Sequence, residues 1–261
     1  FFEATDGTVE FTGAAPVIIS VSPAVTVFNN VLVSGVTQLT QTDAQEIHIT
    51  GDVTVNDQAS FTPAGDLALI IMDGSVQQTL GGNSQIPNFL EFARLQINKG
   101  SGTTTANDEV MLATNIIIDN SANTQLTLSN GVLNLGSYTF TNSANTVSRV
   151  NGVINGGTGT YVVNTGHETP LLEDAYFTVN DVATLYNLRT DAAHTTANDL
   201  TVNGTLDLNL ADITVASGTA ADPIKLILKG DLTRTNGDIN GGNNLSTVVF
   251  DGTGAVTGGL S

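Results

Sequence analysis

The chain has 261 residues, and its 25 acidic residues outweigh 7 basic ones, which gives a net charge of −18. A polyanion is repelled by nucleic-acid phosphates, and this one lacks the basic cluster that anionic lipids attract, so we expect neither nucleic acid nor a membrane as partner. Cys and Trp are absent, while Gly, Asn, Asp and β-branched residues are abundant. This composition predicts an all-β fold with many short strands and tight turns.

A strand that ends in a turn recurs along the chain. It reads Val-Glu-Phe-Thr-Gly at 9–13, Ile-Ile-Met-Asp-Gly at 70–74 and Val-Val-Phe-Asp-Gly at 248–252. About twenty residues later comes a second motif, in which an aromatic residue precedes alternating apolar positions. It begins at Phe28 and Phe92, and more loosely at Tyr186.

Two further motifs repeat almost unchanged. Thr-Thr-Ala-Asn-Asp stands at 104–108 and again at 195–199, and each copy runs into an alternating strand. Asn-Gly-x-Ile-Asn-Gly-Gly stands at 151–157 and again at 236–242. Period-two alternation places one set of side chains inward and the other outward, and a single strand cannot bury its inward set alone.

The spacing of these motifs predicts the architecture. Successive markers lie about 22 residues apart, which predicts a parallel β-helix, a solenoid of about 12 coils averaging ~22 residues. We expect one continuous segment over residues 1–261, with modules at about 11–71, 72–162 and 163–249 and the start of another at 250–261. The first module is shorter by about one coil, which a solenoid tolerates because each coil contacts only its neighbours. The alternative is a row of tandem immunoglobulin-like β-sandwiches of about 90 residues each.

Two segments depart from the regular pattern. Residues 84–100 fit either a short amphipathic turn or a strand, and the repeat alignment favours a strand from Phe92 onward. Residues 166–181 read as a loop that bulges from a coil, because Pro170 cannot donate to a strand ladder. The chain starts without an initiator Met and stops inside a repeat, so we interpret it as an internal piece of a longer protein.

The histidines are the first candidates for chemistry. His48 lies between Ile47 and Ile49 and therefore faces away from their side of the strand, as an exposed residue. His194 lies in a polar corner without an acidic neighbour at ligand spacing. His167 and Glu168 lie in a Gly-containing loop, close before Glu173 and Asp174, and form either an acid–base pair or a cation site. We favour a solvated loop without chemistry.

Recurrent corners also carry aspartates. Asp73, Asp108, Asp199 and Asp251 fall at such corners, where stacked carboxylates are able to share calcium. The simpler interpretation is that each caps its own turn. No other cofactor is expected.

The patterns that a carbohydrate-active enzyme needs are weak in this sequence. The seven basic residues are scattered at about one per coil or fewer, and the chain has 4 Tyr and no Trp for stacking on sugars. No nucleophile elbow, phosphate-binding loop or His-Glu-x-x-His motif occurs. We therefore predict that the chain is not an enzyme.

The repeats resemble a known group of proteins. Val-x-Phe-Asp-Gly-Thr-Gly-Ala-Val at 248–256 is similar to a phrase of the giant surface proteins of Bacteroidota, which include gliding-motility adhesins and type IX secretion cargo. The segments 28–33, 133–138 and 200–208 resemble the same proteins. The resemblance implies a secreted, extracellular cell-surface filament that adheres to solid surfaces or polysaccharide, and it supplies no catalytic residues.

We therefore expect a structural and adhesive segment that acts as a rigid stalk, whose partners are the flanking repeats of its own chain and an extracellular polysaccharide or solid surface. The alternative is a β-helical polysaccharide lyase or glycosidase, with His167 and Glu168 in its groove.

Overall fold

The computed structural model describes residues 3–19, 25–41, 46–63, 65, 67–100, 106–119, 123–164, 172–242 and 245–257. These residues form a parallel β-solenoid of about ten turns, which confirms the predicted fold. Among the described strands, only a short hairpin pairs antiparallel. The alternative of tandem immunoglobulin-like sandwiches is wrong, because such sandwiches are built from antiparallel sheets.

The strands are mostly three to five residues long. In chain order the first are β1 (Glu3–Gly13), β2 (Val17–Ile19), β3 (Val25–Gly35), β4 (Gln38–Gln41), β5 (Glu46–Ile49), β6 (Val53–Val55), β7 (Ser60–Pro63), β8 (Leu69–Met72), β9 (Gln78–Gly82), β10 (Glu91–Phe92), β11 (Arg94–Asn98), β12 (Glu109–Leu112), β13 (Ile116–Ile118), β14 (Gln125–Asn130) and β15 (Val132–Asn134). The rest are β16 (Thr139–Asn142), β17 (Thr146–Arg149), β18 (Val153–Asn155), β19 (Thr160–Val163), β20 (Thr178–Val179), β21 (Val182–Ala183), β22 (Asn187–Thr190), β23 (His194–Thr196), β24 (Leu200–Val202), β25 (Leu206–Leu208), β26 (Ile213–Val215), β27 (Ile224–Leu228), β28 (Leu232–Arg234), β29 (Ile239–Gly241), β30 (Ser246–Phe250) and β31 (Val256–Thr257). Two 3-10 helices, η1 (Ala106–Asp108) and η2 (Asp174–Tyr176), interrupt them.

Two compact units make up the chain, and unit 1 comprises residues 1–134 and 143–152. Each of its coils places strands on three faces. The first face stacks β3, β5, β8, β11, β14 and β17, and the second stacks β3, β6, β9, β12 and β15. The long strand β3 takes part in both faces, and β1 pairs along it. The third face contains β2, β4 and β7, and the pair β10–β13.

Apolar side chains fill the inside of unit 1 in columns that follow the strand register. One column on the first face is Thr26, Ile47, Ile70, Leu95 and Leu126. Its neighbour is Phe28, Ile49, Met72, Ile97 and Leu128. All of these residues are buried, so each coil contributes the same kind of layer to one continuous core.

Unit 2 comprises residues 135–142 and 153–261. Its longest sheet stacks β16, β19, β22, β25, β28 and β31, and two shorter ones stack β23, β26, β29 and β24, β27, β30. Phe140, Tyr161, Leu188, Leu206 and Leu232 form one inward column of the longest sheet. Within the loop predicted at 166–181, residues 165–171 lie outside the described part, and η2 with the hairpin β20–β21 follows.

The coils are unequal in length, and there are about ten turns and not about twelve because the sequence markers do not fall once per coil. Leu188 stacks on Leu206, whereas Leu80 stacks on Leu112, a much longer step along the chain. Several sequence markers also fall on different faces of a coil: Phe92 lies in β10 and Val110 in β12, with β11 between them. The strand predicted from Phe92 onward is present as β10 and β11.

Candidate functional site

The four aspartates proposed for calcium have separate roles. Asp73 follows β8 and binds a histidine, Asp108 ends η1, Asp199 precedes β24, and Asp251 follows β30 as an exposed residue. Within the described residues, no three His, Cys, Asp or Glu side chains are grouped so that they could hold a metal ion. The structure therefore gives calcium binding no geometric support, and it stays a prediction.

Asp199 shows what a corner carboxylate does in this fold. Its Oδ1 accepts the backbone N–H of Lys225 over 2.8 Å, and Lys225 is the residue that stacks on it in the next coil. The predicted cap is therefore present, but it satisfies the following coil and not its own turn.

The same arrangement recurs immediately before other strands. Asp52 accepts from Thr79, Asp212 from Asp238 and Asp231 from Ala255, over 2.7–2.8 Å in each case. Each acceptor precedes the first residue of its strand and bonds its register partner one coil later. Some of the carboxylates of the chain thus form hydrogen bonds that link one coil to the next.

His48 is not the solvated side chain that the sequence indicates. It faces outward from β5, as predicted, but its Nδ1 lies 2.5 Å from Asp73 Oδ2 and its Nε2 lies 2.7 Å from Glu46 Oε1. Burial lowers the pKa of His48, but the two hydrogen bonds and the negative charges of Asp73 and Glu46 outweigh it, so the pKa lies above the ordinary value of 6.5. Both ring nitrogens are engaged, which leaves neither free to act as a catalytic base.

A buried lysine fixes the corner that joins β8 to β9. Lys99 is fully buried, and its Nζ donates to the backbone oxygens of Gly74, over 2.6 Å, and Val76. From the same coil as the corner, Gln78 accepts from the Gly74 N–H over 2.9 Å and donates to the Ile49 oxygen over 2.8 Å. Because buried backbone groups are costly to leave unpaired, these two side chains determine the path of the corner.

Burial lowers the pKa of Lys99 to about 8, although the negative charges of Asp108, Asp73 and Asp52 act in the opposite direction. Asp73 Oδ1 is buried and has no hydrogen-bond partner within the described residues. Perturbed groups of this kind often mark functional sites, but here the amine is committed to backbone oxygens. We regard Lys99 as a structural residue that the sequence, which shows only scattered basic residues, does not reveal.

The remaining sequence candidates are in unit 2. His194 is buried in strand β23, stacked on Ile213, so its prediction as a residue of a polar corner is wrong. His167 and Glu168 lie outside the described residues. Asp174 accepts from the backbone N–H and the hydroxyl of Thr201, over 2.7 and 2.9 Å, and Glu173 accepts from the amide of Asn198. Both carboxylates therefore join neighbouring coils.

Polar side chains line a shallow groove of about 280 Å³ on the first face of unit 1. Arg94 Nη2 donates to Gln125 Oε1 over 3.0 Å, and Gln125 Nε2 donates to Ser148 Oγ over 3.3 Å. Ser148 in turn donates to Thr127 over 3.2 Å. The outward side chains of this face form a hydrogen-bonded ladder that runs across β11, β14 and β17.

A second groove, of about 360 Å³, crosses β16, β19, β22 and β25 in unit 2. Its lining is Thr139, Thr160, Val162, Asn187, Leu188, Arg189, Thr205 and Asp207. Arg189 Nε donates to Asp191 Oδ1 over 2.8 Å, and Asn209 donates to the same oxygen over 2.8 Å. The guanidinium is thus held in position while its side chain stays 42% exposed.

Two exposed tyrosines directly precede residues that line this second groove. Tyr138 precedes Thr139 in the chain and Tyr186 precedes Asn187, and both groove residues belong to one register column through Thr160. Tyr138 is 37% and Tyr186 39% exposed, whereas Tyr161 is buried. The sequence did not indicate this pair, because the two coils between them differ in length.

No helix within the described residues has the length and apolar character needed to cross a membrane. Comparison of the chain with protein-family models, with curated proteins and with solved structures gave no significant match.

Proposed function

We propose that the chain is a structural and adhesive segment of a long secreted bacterial surface protein, in which it acts as a rigid stalk and contacts polysaccharide or solid surfaces. The observation that carries this proposal is the repetition of one contact pattern from coil to coil. Inward apolar columns continue from coil to coil, and aspartate caps recur at several of the steps. Because each coil contacts only its neighbours, further coils can be added with the same contacts, and this is how a filament is lengthened.

Stiffness is the mechanical property that this pattern supplies. Each described strand of the three faces is hydrogen-bonded to a coil below it, above it or both, and the core is continuous within each unit. Bending such a stack lengthens many backbone hydrogen bonds at the same time. Weakening a buried hydrogen bond costs free energy, so the stack resists bending. A stalk of this kind holds an exposed face at a fixed position.

The proposal is tested in the bacterium that produces the protein. Antibodies raised against the purified chain should label intact cells, and external protease should remove the label. Deletion of the segment from the gene should reduce attachment to surfaces. Replacing the segment with an unrelated β-solenoid of equal turn number should restore the length of the surface filament. Label that appears only after lysis, or attachment that the deletion leaves unchanged, would refute the proposal.

We infer no catalytic role for the segment, because the carboxylates of Asp73, Asp174 and Asp199 are engaged between coils. Asp174 and Asp199 bond backbone groups, and Asp73 is paired with His48. Purified protein incubated with neutral and acidic polysaccharides should release neither reducing ends nor unsaturated products. Release that is abolished by His167→Ala would instead support the lyase or glycosidase alternative.

A further inference from the structure

We propose that the second groove of unit 2 is a binding site for a neutral, extended β-linked polysaccharide that lies parallel to the stacking axis. We call this site the tyrosine groove. It comprises the lining residues Thr160, Arg189 and Thr205, together with Tyr138 and Tyr186, which precede the lining residues Thr139 and Asn187 in the register. The inference deepens the adhesive part of the proposed function, on which it rests, by naming the ligand class and the residues that bind it.

The position of the two tyrosines is the first argument. In the strand register, Thr139 stacks on Thr160 and Thr160 on Asn187, so Tyr138 and Tyr186 are two coil steps apart in one column. At the usual spacing of stacked strands, two steps are about 9.6 Å. This is close to the length of one disaccharide unit in an extended β-linked glycan, where every second sugar presents the same face. Each tyrosine is therefore placed to meet every second ring.

Glycines occupy the other two positions of this column, where neighbouring coils pack closely. Gly159 occupies the step between the tyrosines, where an added Cβ would lie 2.4 Å from the backbone oxygen of Tyr138. Gly204 occupies the next step, where an added Cβ would lie 2.8 Å from two ring carbons of Tyr186. The Tyr186 ring therefore lies against the backbone of the next coil. An aromatic ring supported in this way offers apolar area at little conformational cost.

Hydrogen-bonding groups in the groove are available for a ligand. Among the described residues, the hydroxyls of Thr160 and Thr205 make no hydrogen bond, although both residues line the groove. Arg189 uses Nε for Asp191 and is fixed by that bond. Ligand sites characteristically combine an apolar or aromatic surface with a few fixed polar groups, and this groove has both.

Charge selects a neutral ligand. Arg189 is paired with Asp191 and stacks beside Asp207, so the groove carries no excess positive charge. The whole chain has a net charge of −18, which repels a polyanion such as a polyuronate. A neutral glycan, whose hydroxyls both donate and accept hydrogen bonds, meets no such barrier.

Affinity electrophoresis tests this site with soluble polysaccharides as probes. The acidic protein migrates readily in native gels, which are cast with hydroxyethylcellulose, mixed-linkage β-glucan, galactomannan or alginate. We expect retardation by at least one neutral β-linked polymer and none by alginate. Tyr138→Ala and Tyr186→Ala should each weaken binding about tenfold, the effect of losing one aromatic contact.

Matched variants separate binding from folding. Tyr186→Phe keeps the ring and should retain binding, whereas Arg189→Gln should weaken it. Phe250→Ala removes an exposed aromatic ring elsewhere in unit 2 and should leave binding unchanged. Circular dichroism establishes that each variant is folded. The site is refuted if no neutral polymer retards the wild-type protein, if the alanine variants bind as wild type, or if alginate binds best.

The outcomes distinguish this site from the function on which it rests. Cells that carry the antibody label and lose attachment on deletion, but whose purified segment is not retarded, refute the groove and keep the adhesive segment. Retardation of a protein that intact cells do not expose refutes the surface role and keeps the groove.

Discussion

The outward faces of the two units use similar residues in different ways. On the first face of unit 1, Arg94, Gln125 and Ser148 hydrogen-bond to each other. We call such a polar surface, whose side chains link neighbouring coils, a tie. In the groove of unit 2, Arg189 is held from one side, and the hydroxyls of Thr160 and Thr205 have no partner among the described residues. Composition alone does not separate a tie from a binding surface. The distinction lies in whether the donors and acceptors are already satisfied.

The units also differ in what they bury. Unit 1 encloses a lysine and holds the partly exposed His48 between two carboxylates, whereas unit 2 buries His194 in a strand and its capping aspartates bond mainly backbone N–H groups. Buried charge is costly unless it is bonded, so unit 1 should be the more sensitive to substitution and to pH.

The largest effect is expected from Lys99→Ala. The substitution removes two hydrogen bonds to the corner at Gly74 and Val76 and leaves a cavity, so unit 1 should lose about 3 kcal/mol or more of unfolding free energy. Urea unfolding followed by circular dichroism measures the loss. Lys225→Ala in unit 2, where the lysine is partly exposed, is the control and should change stability by less than about 0.5 kcal/mol. Equal losses in both variants would contradict the difference between the units.

A pH effect should follow from the same lysine. Its pKa is about 8 in the folded chain, against 10.5 as its ordinary value. Between these values the unfolded chain holds the proton that the folded chain has released, so stability rises with pH across the interval. Wild type should therefore gain stability relative to Lys99→Met from pH 8 to 10.5. Parallel curves for the two proteins would show that the amine titrates normally.

His48 should give a shift of the opposite sign. Its raised pKa means that the bonds to Asp73 and Glu46 contribute stability fully below the ordinary value of 6.5, and that this contribution is lost as pH rises through the folded pKa. Wild type should exceed His48→Gln in stability by about 1 kcal/mol at pH 6, and by less at pH 8.5. An NMR titration of the imidazole reads the pKa directly, and a value at or below 6.5 would contradict the prediction.

Removing one capping carboxylate should have a moderate effect. Asp199→Ala leaves the Lys225 N–H without its acceptor and should cost about 1 kcal/mol, while Asp199→Asn keeps an oxygen and should cost less. If the carboxylates serve as caps and not as metal ligands, millimolar calcium or EDTA should leave the melting temperature unchanged. A calcium-dependent rise that Asp199→Asn abolishes would restore the calcium hypothesis.

The smallest effects sharpen the contrast between the two arginines. Arg94→Ala should cost about 0.5 kcal/mol of stability, because it breaks one partly buried hydrogen bond of the ladder. The same change should leave retardation in polysaccharide gels as in wild type. Arg189→Gln should show the reverse pattern, with stability nearly kept and retardation reduced. If Arg94→Ala and Arg189→Gln changed stability and gel retardation by the same amounts, the distinction between the tie in unit 1 and the binding surface in unit 2 would be wrong.

The sequence predicts the strands and their inward faces well, because alternation is a local property. Ile47 and Ile49 are buried and His48 faces outward, as the pattern indicates. The sequence does not predict which side chains of neighbouring coils hydrogen-bond to each other. Asp73 reaches His48 across 25 positions, whereas Asn209 reaches Asp191 across 18. With coil lengths this variable, no constant spacing predicts which side chains meet.

The errors at the candidate sites have the same origin. Asp199 is correctly identified as a cap, but its donor lies in the next coil. Lys99 reads as one of several scattered cations, since its burial depends on how the corner at Gly74 stacks beneath it. Tyr138 and Tyr186 form a column only after the register of β16, β19 and β22 is known.

The aspartate caps also give the stack a direction. In the pairs that involve Asp52, Asp199, Asp212 and Asp231, the carboxylate belongs to the earlier coil and the N–H to the later one. A finished coil therefore presents ready acceptors to the segment that comes after it in the chain. Since a polypeptide emerges amino end first during synthesis, the preceding coil, with its carboxylate acceptors, can already be folded when each new coil is made. The chemistry of the caps thus favours winding the solenoid in the order in which it is made.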